Sequence, residues 1–158
     1  MEAAAAFLGV RPRSVAETRR RLRRLGYPNS LVEVVVQRLV EMEYLDDVEF
    51  ARLWIESRDR ARPRGQAALR RELALKGVTR DVIDDALAER SSASGGAESV
   101  DAEAAARLLE RRRSALDREA DPRRRRQKAY TLLSRSGFDP DICARASAVF
   151  VGRIAEAD

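Results

Sequence analysis

The residues of this chain whose types and spacing could do chemistry are its arginines. Arg19, Arg20, Arg21, Arg23 and Arg24 crowd into one short stretch, and Arg123, Arg124, Arg125 and Arg126 are consecutive. A guanidinium is a planar fork of donors that stays charged and matches the geometry of carboxylate and phosphate. The chemistry on offer is therefore recognition of anions. Only Lys76 and Lys128 are lysines; codon bias accounts for much of that preference, and the fork suits anions whatever its origin. Each cluster has a bland reading beside this one. The 19–24 run could be a solvated face tied to Glu17. The 123–126 run could be neutralised by Asp117, Glu119 and Asp121. Its four cations stand in a first helical turn, where they oppose the helix dipole, and this favours a bound anion there.

Catalytic chemistry has little to work with. There is no histidine, and Cys143 is the single cysteine, which excludes an internal disulfide, His-based triads and zinc-type ligand clusters. No glycine-rich phosphate loop and no nucleophile–base pair is present, so no catalytic, cofactor-binding or metal-binding residue is assigned. Asp46-Asp47 has no third carboxylate at ligand spacing and reads as a helix cap. Phe50, Leu53 and Trp54 share a helical stripe with Ser57 and read as core. Cys143 lies on an apolar stripe and reads as a small hydrophobe.

The elements that carry the arginines are helical. The chain has 158 residues, 44% hydrophobic and 36% charged, with a net charge of +5, enough for one ordinary domain or several small modules. The basic excess is concentrated in residues 1–45, whereas residues 46–90 are balanced. No apolar run is long enough to cross a bilayer, and Met1 to Gly9 lacks the basic start of a secretory signal. The expected location is the cytoplasm.

One punctuation mark occurs three times. Gly26, Gly77 and Gly137 each follow an apolar periodic segment and precede a hydrophobe: Tyr27, Val78 or Phe138. Glycine enters the left-handed region without steric penalty and so ends helices. A short helix is expected over Glu2 to Leu8. Ser14 and Glu17 then form a capping box for a helix whose inner stripe is Val15, Thr18, Leu22 and Leu25. Pro28, Asn29 and Ser30 start the next, with Leu31, Val34, Val35, Leu39 and Met42 inside. Pro63-Arg64-Gly65 breaks the chain, Leu69 and Leu73 follow, and Thr79 opens a helix burying Val82, Ile83, Ala86 and Leu87. Asp121-Pro122 and Asp139-Pro140 are cap-plus-proline starts; the last helix packs Ile142, Ala146, Val149 and Phe150. The organisation is an all-α, elongated array of three tandem three-helix modules: residues 1–45, 46–90 and 101–158, with a flexible Ser/Gly/Ala linker over 91–100.

The central segment carries a resemblance. Tyr44-Leu45-Asp46-Asp47, Phe50-Ala51, Trp54-Ile55, Arg58, Pro63-Arg64-Gly65, Leu69, Glu72-Leu73 and Lys76-Gly77-Val78 are similar to the central module of the RecX family, bacterial regulators of the RecA recombinase. Arg11, Arg13-Ser14, Glu17, Leu22 and Gly26 resemble that family's first module, and Gly137-Phe138-Asp139 with Ile142 resembles the close of its third. The resemblance implies tandem three-helix repeats that bind the RecA–DNA filament and damp its ATP hydrolysis and strand exchange, in the setting of the DNA-damage response. It implies no catalytic residue and no cofactor. The expected partner is the RecA filament, with single- or double-stranded DNA as a further partner, no membrane, and a monomeric chain. The binding residues assigned on the basic faces are Arg19, Arg20, Arg23 and Arg24, then Arg64 and Arg71 in the second module, and Arg123, Arg124, Arg125 and Arg126. The competing reading is a helical repeat that binds nucleic acid directly, acting on RecA by competing for DNA.

Overall fold

The structure, a computed structural model, describes residues 11–93 and 95–155. Among these there are α-helices and turns and no strand. The helices are α1 (Val15–Arg24), α2 (Asn29–Glu41), α3 (Asp47–Ala61), α4 (Gln66–Leu75), α5 (Arg80–Ser92), α6 (Ala97–Arg111), the single turn α7 (Arg113–Leu116), α8 (Pro122–Arg135) and α9 (Pro140–Ala155). The helix expected over Glu2 to Leu8 lies outside the described residues.

Local chemistry sets most helix ends. Ser14 Oγ accepts the Glu17 amide while the Glu17 carboxylate accepts the Ser14 amide, a complete capping box at the start of α1. Asp46 Oδ1 accepts the Val48 and Glu49 amides and opens α3. Asp121 accepts the Arg123 amide ahead of Pro122 at the head of α8.

The three glycine corners are one motif. Gly26, Gly77 and Gly137 have φ of 86°, 82° and 82°. In each, the glycine amide donates to a carbonyl three residues back and the following amide to one five back: Tyr27 to Leu22, Val78 to Leu73, Phe138 to Leu133. This pair of bonds satisfies carbonyls that the helix end would leave orphaned. Glu43 builds the same corner after α2 at φ 59°, its amide and that of Tyr44 donating to Val40 and Leu39.

The described chain divides into two compact units. One comprises the residues up to Trp54 with Glu72–Ala86; the other comprises Ile55–Arg71 with the residues from Leu87 onward. In the first, Leu22, Val32, Val36, Leu39 and Leu45 form an apolar cluster. In the second, Ala104, Ala105, Leu108, Leu109, Leu133, Ile142, Cys143 and Phe150 are among the residues of a larger one. Cys143 is fully buried, and its thiol donates to the Phe138 carbonyl.

Several expected core positions are corrected. In α2 the buried residues are Val32, Val36 and Leu39 with Val35 at the margin, while Leu31, Val34 and Met42 are exposed. Val32, Val35, Val36 and Leu39 stand at i, i+3, i+4 and i+7, a single helical stripe that lies against α1, adjacent to the one expected at Leu31 and Val34. Leu25, Tyr27, Ser57 and Val149 are also exposed. The linker expected over 91–100 is narrower: α5 continues to Ser92 and α6 begins at Ala97. Ser91 and Ser92 donate their hydroxyls to carbonyls four residues back, and this lets serine continue a helix.

Each unit contains a joint of the same design. In the first, the start of α1 is seated at the Gly77 corner. Ser14 Oγ donates to the Lys76 carbonyl at 2.6 Å, and Asp47 Oδ1 accepts the Val15 amide at 2.9 Å. In the second, the start of α4 is seated at the Gly137 corner. The Gly65 amide donates to the Ser136 carbonyl at 3.0 Å, and Asp101 Oδ2 accepts the Gln66 amide at 2.9 Å. In both, an aspartate from another helix caps the first helical amide, and a small residue, Ala16 or Ala68, faces the glycine.

Candidate anion-binding site

The arginines of α1 separate into two groups. Arg19 and Arg23, four residues apart and so on one face, both pair with Glu33 of α2. Arg19 Nε donates to its two oxygens at 2.9 and 3.0 Å, and Arg23 Nη2 to Oε1 at 3.1 Å. Arg19 foremost, with Arg23, holds the Glu33 carboxyl below its ordinary range. That face serves to tie α1 to α2.

Arg20 and Arg24 belong to the other group. With Arg13, Arg21 and Glu17 they line an open cleft of about 350 Å³. Four guanidinium groups face one carboxylate there. Arg20, Arg21 and Arg24 are exposed and Arg13 is half-buried. Burial, and then the positive charge of Arg11, lower the proton affinity of Arg13, which as an arginine remains charged at neutral pH. Glu17 is shared among other groups: Lys76 Nζ at 2.8 Å, Arg11 Nη2 at 3.0 Å and the Ser14 amide at 3.3 Å. Burial alone would raise its carboxyl; Lys76 and Arg11 outweigh that and hold it at about 2. Arg20 also reaches the Leu75 carbonyl at 3.5 Å.

The remaining candidates are dispersed. Arg64 is half-buried and Arg71 exposed. Of the four at the head of α8, Arg124 lies 3.7 Å from Asp121 and Arg125 Nε donates to the Glu119 carbonyl at 2.9 Å. Arg123 and Arg126 are exposed. Glu119, partnered foremost by Lys128 at 2.6 Å, is held below its ordinary range. The bland reading of that cluster therefore accounts for part of its charge.

Trp54 is half-buried. Its Nε1–H donates to Glu72 Oε2 at 3.0 Å, and the Lys76 ammonium lies 4.9 Å from its ring centre. Its ring is 5.9 Å from Phe50. Among the described residues no group of three or more His, Cys, Asp and Glu side chains could hold a metal, and no helix is long and apolar enough to cross a membrane.

Arg13 and Arg21 are the residues that the sequence-based set omits. A signal for Arg13 existed. Superposing the glycine corners aligns Pro12-Arg13-Ser14 with Pro63-Arg64-Gly65 and Arg20 with Arg71. The same alignment sets Arg21 against Glu72 and Arg24 against Leu75, so the first module is the more cationic at this place.

Comparison with known proteins bears on the whole arrangement. The family profile described as "RecX, second three-helix domain" matches residues 46–87, and that described as "RecX, first three-helix domain" matches residues 1–39. A regulatory protein RecX of Prosthecochloris aestuarii is 37% identical over 137 residues, covering 84% of this chain and 81% of the relative. One from Mycolicibacterium vanbaalenii is 36% identical over 136 residues, covering 84% and 72%. The crystal structure of RecX from Lactobacillus salivarius has the same fold, with a TM-score of 0.75 at 19% identity over 94% of this chain and 92% of that one.

Proposed function

Since the chain belongs to the RecX family of regulatory proteins, we propose that it binds the RecA–DNA filament and lowers the filament's ATP hydrolysis and strand exchange, without catalysing a reaction itself. Binding is summed over several modest contacts, each made more probable by the others through effective concentration. Occupancy along the filament then opposes the transitions that accompany ATP turnover.

The observation that supports this reading most is the joint built twice in one chain. A helix start capped by another helix's aspartate and seated against a glycine corner holds successive three-helix elements in fixed register within each unit. Such construction suits a regular, extended partner better than a small substrate. The basic cleft of α1 favours a second reading, direct binding of nucleic acid, and the two predict different salt behaviour.

The test is co-sedimentation of the full chain with RecA on single-stranded DNA, alongside the rate of ATP hydrolysis. Binding to the filament and a falling ATPase rate are expected, with affinity for bare DNA much weaker. A chain that ignores filaments and binds bare DNA steeply with falling salt would replace this reading with the second.

A further inference from the structure

We propose that the cleft lined by Arg13, Arg20, Arg21 and Arg24 is a site for the phosphates of a nucleic-acid backbone, and that this first module is where the chain touches DNA. The inference deepens the filament reading and rests on it for DNA being at hand.

Three observations carry it. The first is charge. Four guanidinium groups line the cleft, and its one carboxylate, Glu17, is shared with Lys76 and Arg11. An anion entering meets a concentrated positive field. The second is the character of the walls. No apolar residue lines the cleft. Every lining side chain is charged, and such a wall suits a ligand that is itself rich in charge and hydrogen-bond acceptors. A sugar–phosphate backbone is such a ligand, and arginine forks engage it without reading sequence. The third is contrast within the chain. Arg19 and Arg23 on the same helix are occupied by Glu33. At the place in the second module corresponding to Arg21 and Arg24 stand Glu72, bonded to Trp54, and Leu75, which is exposed. The cleft thus gives the first module a task that the second is not built for.

The experiment uses the full chain and a labelled DNA duplex and single strand, titrated by anisotropy across a range of salt. Three proteins are compared: wild type, the double variant Arg20→Gln/Arg24→Gln, and a charge-matched control, Arg38→Gln/Arg52→Gln, at arginines paired locally with Glu41 and Glu49. The cleft variant is expected to lose about tenfold or more in affinity at low salt, and its salt slope to fall by roughly one per arginine removed. The control is expected to change little. Arg20→Lys/Arg24→Lys keeps the charge and should recover most of the lost affinity. Equal losses in cleft variant and control would mean diffuse charge and overturn the site. A polyglutamate peptide bound as tightly as DNA would make the cleft a seat for acidic protein and overturn the assignment to nucleic acid. RecA filaments added as a further arm separate the two readings. A wild type that binds filaments while the cleft variant matches the control on DNA sinks the cleft alone. Arginine-dependent DNA binding with no filament binding sinks the filament reading and leaves the cleft standing.

Discussion

The two joints have one plan and different chemistry. In the first unit Ser14 reaches the Lys76 carbonyl through a hydroxyl, so a side chain spans the gap, and the ions around it, Glu17 with Lys76 and Arg11, lie partly in water. In the second unit Gly65 brings its own backbone against the Ser136 carbonyl. Its supporting ions are on the whole more buried: Arg90, with 6% of its side chain exposed, holds the part-buried Asp59 through Nε and Nη2 at 2.8 and 2.9 Å and the buried Asp101 through Nη1 at 2.7 Å. The same Asp101 caps α4. A third corner, at Gly26, has the same backbone and, among the described residues, nothing within 4 Å of the place a Cβ would take. The comparison teaches that the corner is set by local chain geometry, while its energetic weight depends on what is packed against it.

The largest break in this series is expected at Gly65→Ala. The new Cβ would stand 2.5 Å from the Phe138 amide nitrogen and closer still to the Gly137 carbonyl. What opposes it is a backbone peptide group that cannot swing aside, so the loss should reach about 3 kcal/mol or more, read as a lower denaturant midpoint. A loss under about 1 kcal/mol would mean the joint is loosely made. Arg90→Ala comes next. It leaves the buried Asp101 and the part-buried Asp59 without their shared cation, at a cost of about 2–3 kcal/mol once solvent screening at Asp59 is discounted, and unfolding curves of the variant would show it.

Acid should act on the first joint more gently. Glu17 is held at about 2 when folded, against 4.5 as its ordinary value. A carboxyl with a depressed folded pKa contributes stability that is present above its unfolded value and is lost as pH falls towards the folded one. Stability should therefore fall between about pH 4.5 and pH 2, by roughly 1–2 kcal/mol after discounting for solvent screening. Glu17→Gln should flatten that part of the profile; an unchanged profile would refute the role given to Glu17. The smallest effect is expected at Gly26→Ala, where the left-handed backbone alone costs about 1 kcal/mol and nothing clashes. A loss as large as that of Gly65→Ala would show that the open corner is filled.

The structure also bears on how the filament reading should be probed. The compact units pass through α3, α4 and α5, so a fragment of residues 46–90 would separate those helices from the packing that each unit supplies. Charge substitutions in the intact chain are the better instrument.

What was legible in the sequence was mostly local. The Ser14–Glu17 box, the Asp46 and Asp121 caps and the three glycine corners follow from neighbouring residues along the chain, because capping bonds close within a turn or two. The clusters Arg19–Arg24 and Arg123–Arg126 were legible as charge, but not their partners. The pairing of Arg19 and Arg23 with Glu33 needs α2 laid against α1, whereas Arg13, Glu17, Arg20, Arg21 and Arg24 stand at the spacing of a single helical face.

By itself, then, the sequence determined that this protein is helical, where most of its helices start and stop, and where its arginines cluster. Tertiary structure decided that the Val32, Val35, Val36 and Leu39 stripe of α2 is the side covered, by α1, while the equally apolar Leu31 and Val34 stay exposed. It also decided that an aspartate far along the chain caps each joint, and that Glu33 takes up Arg19 and Arg23. Those choices depend on distances between residues remote in sequence, and no periodicity or propensity encodes them.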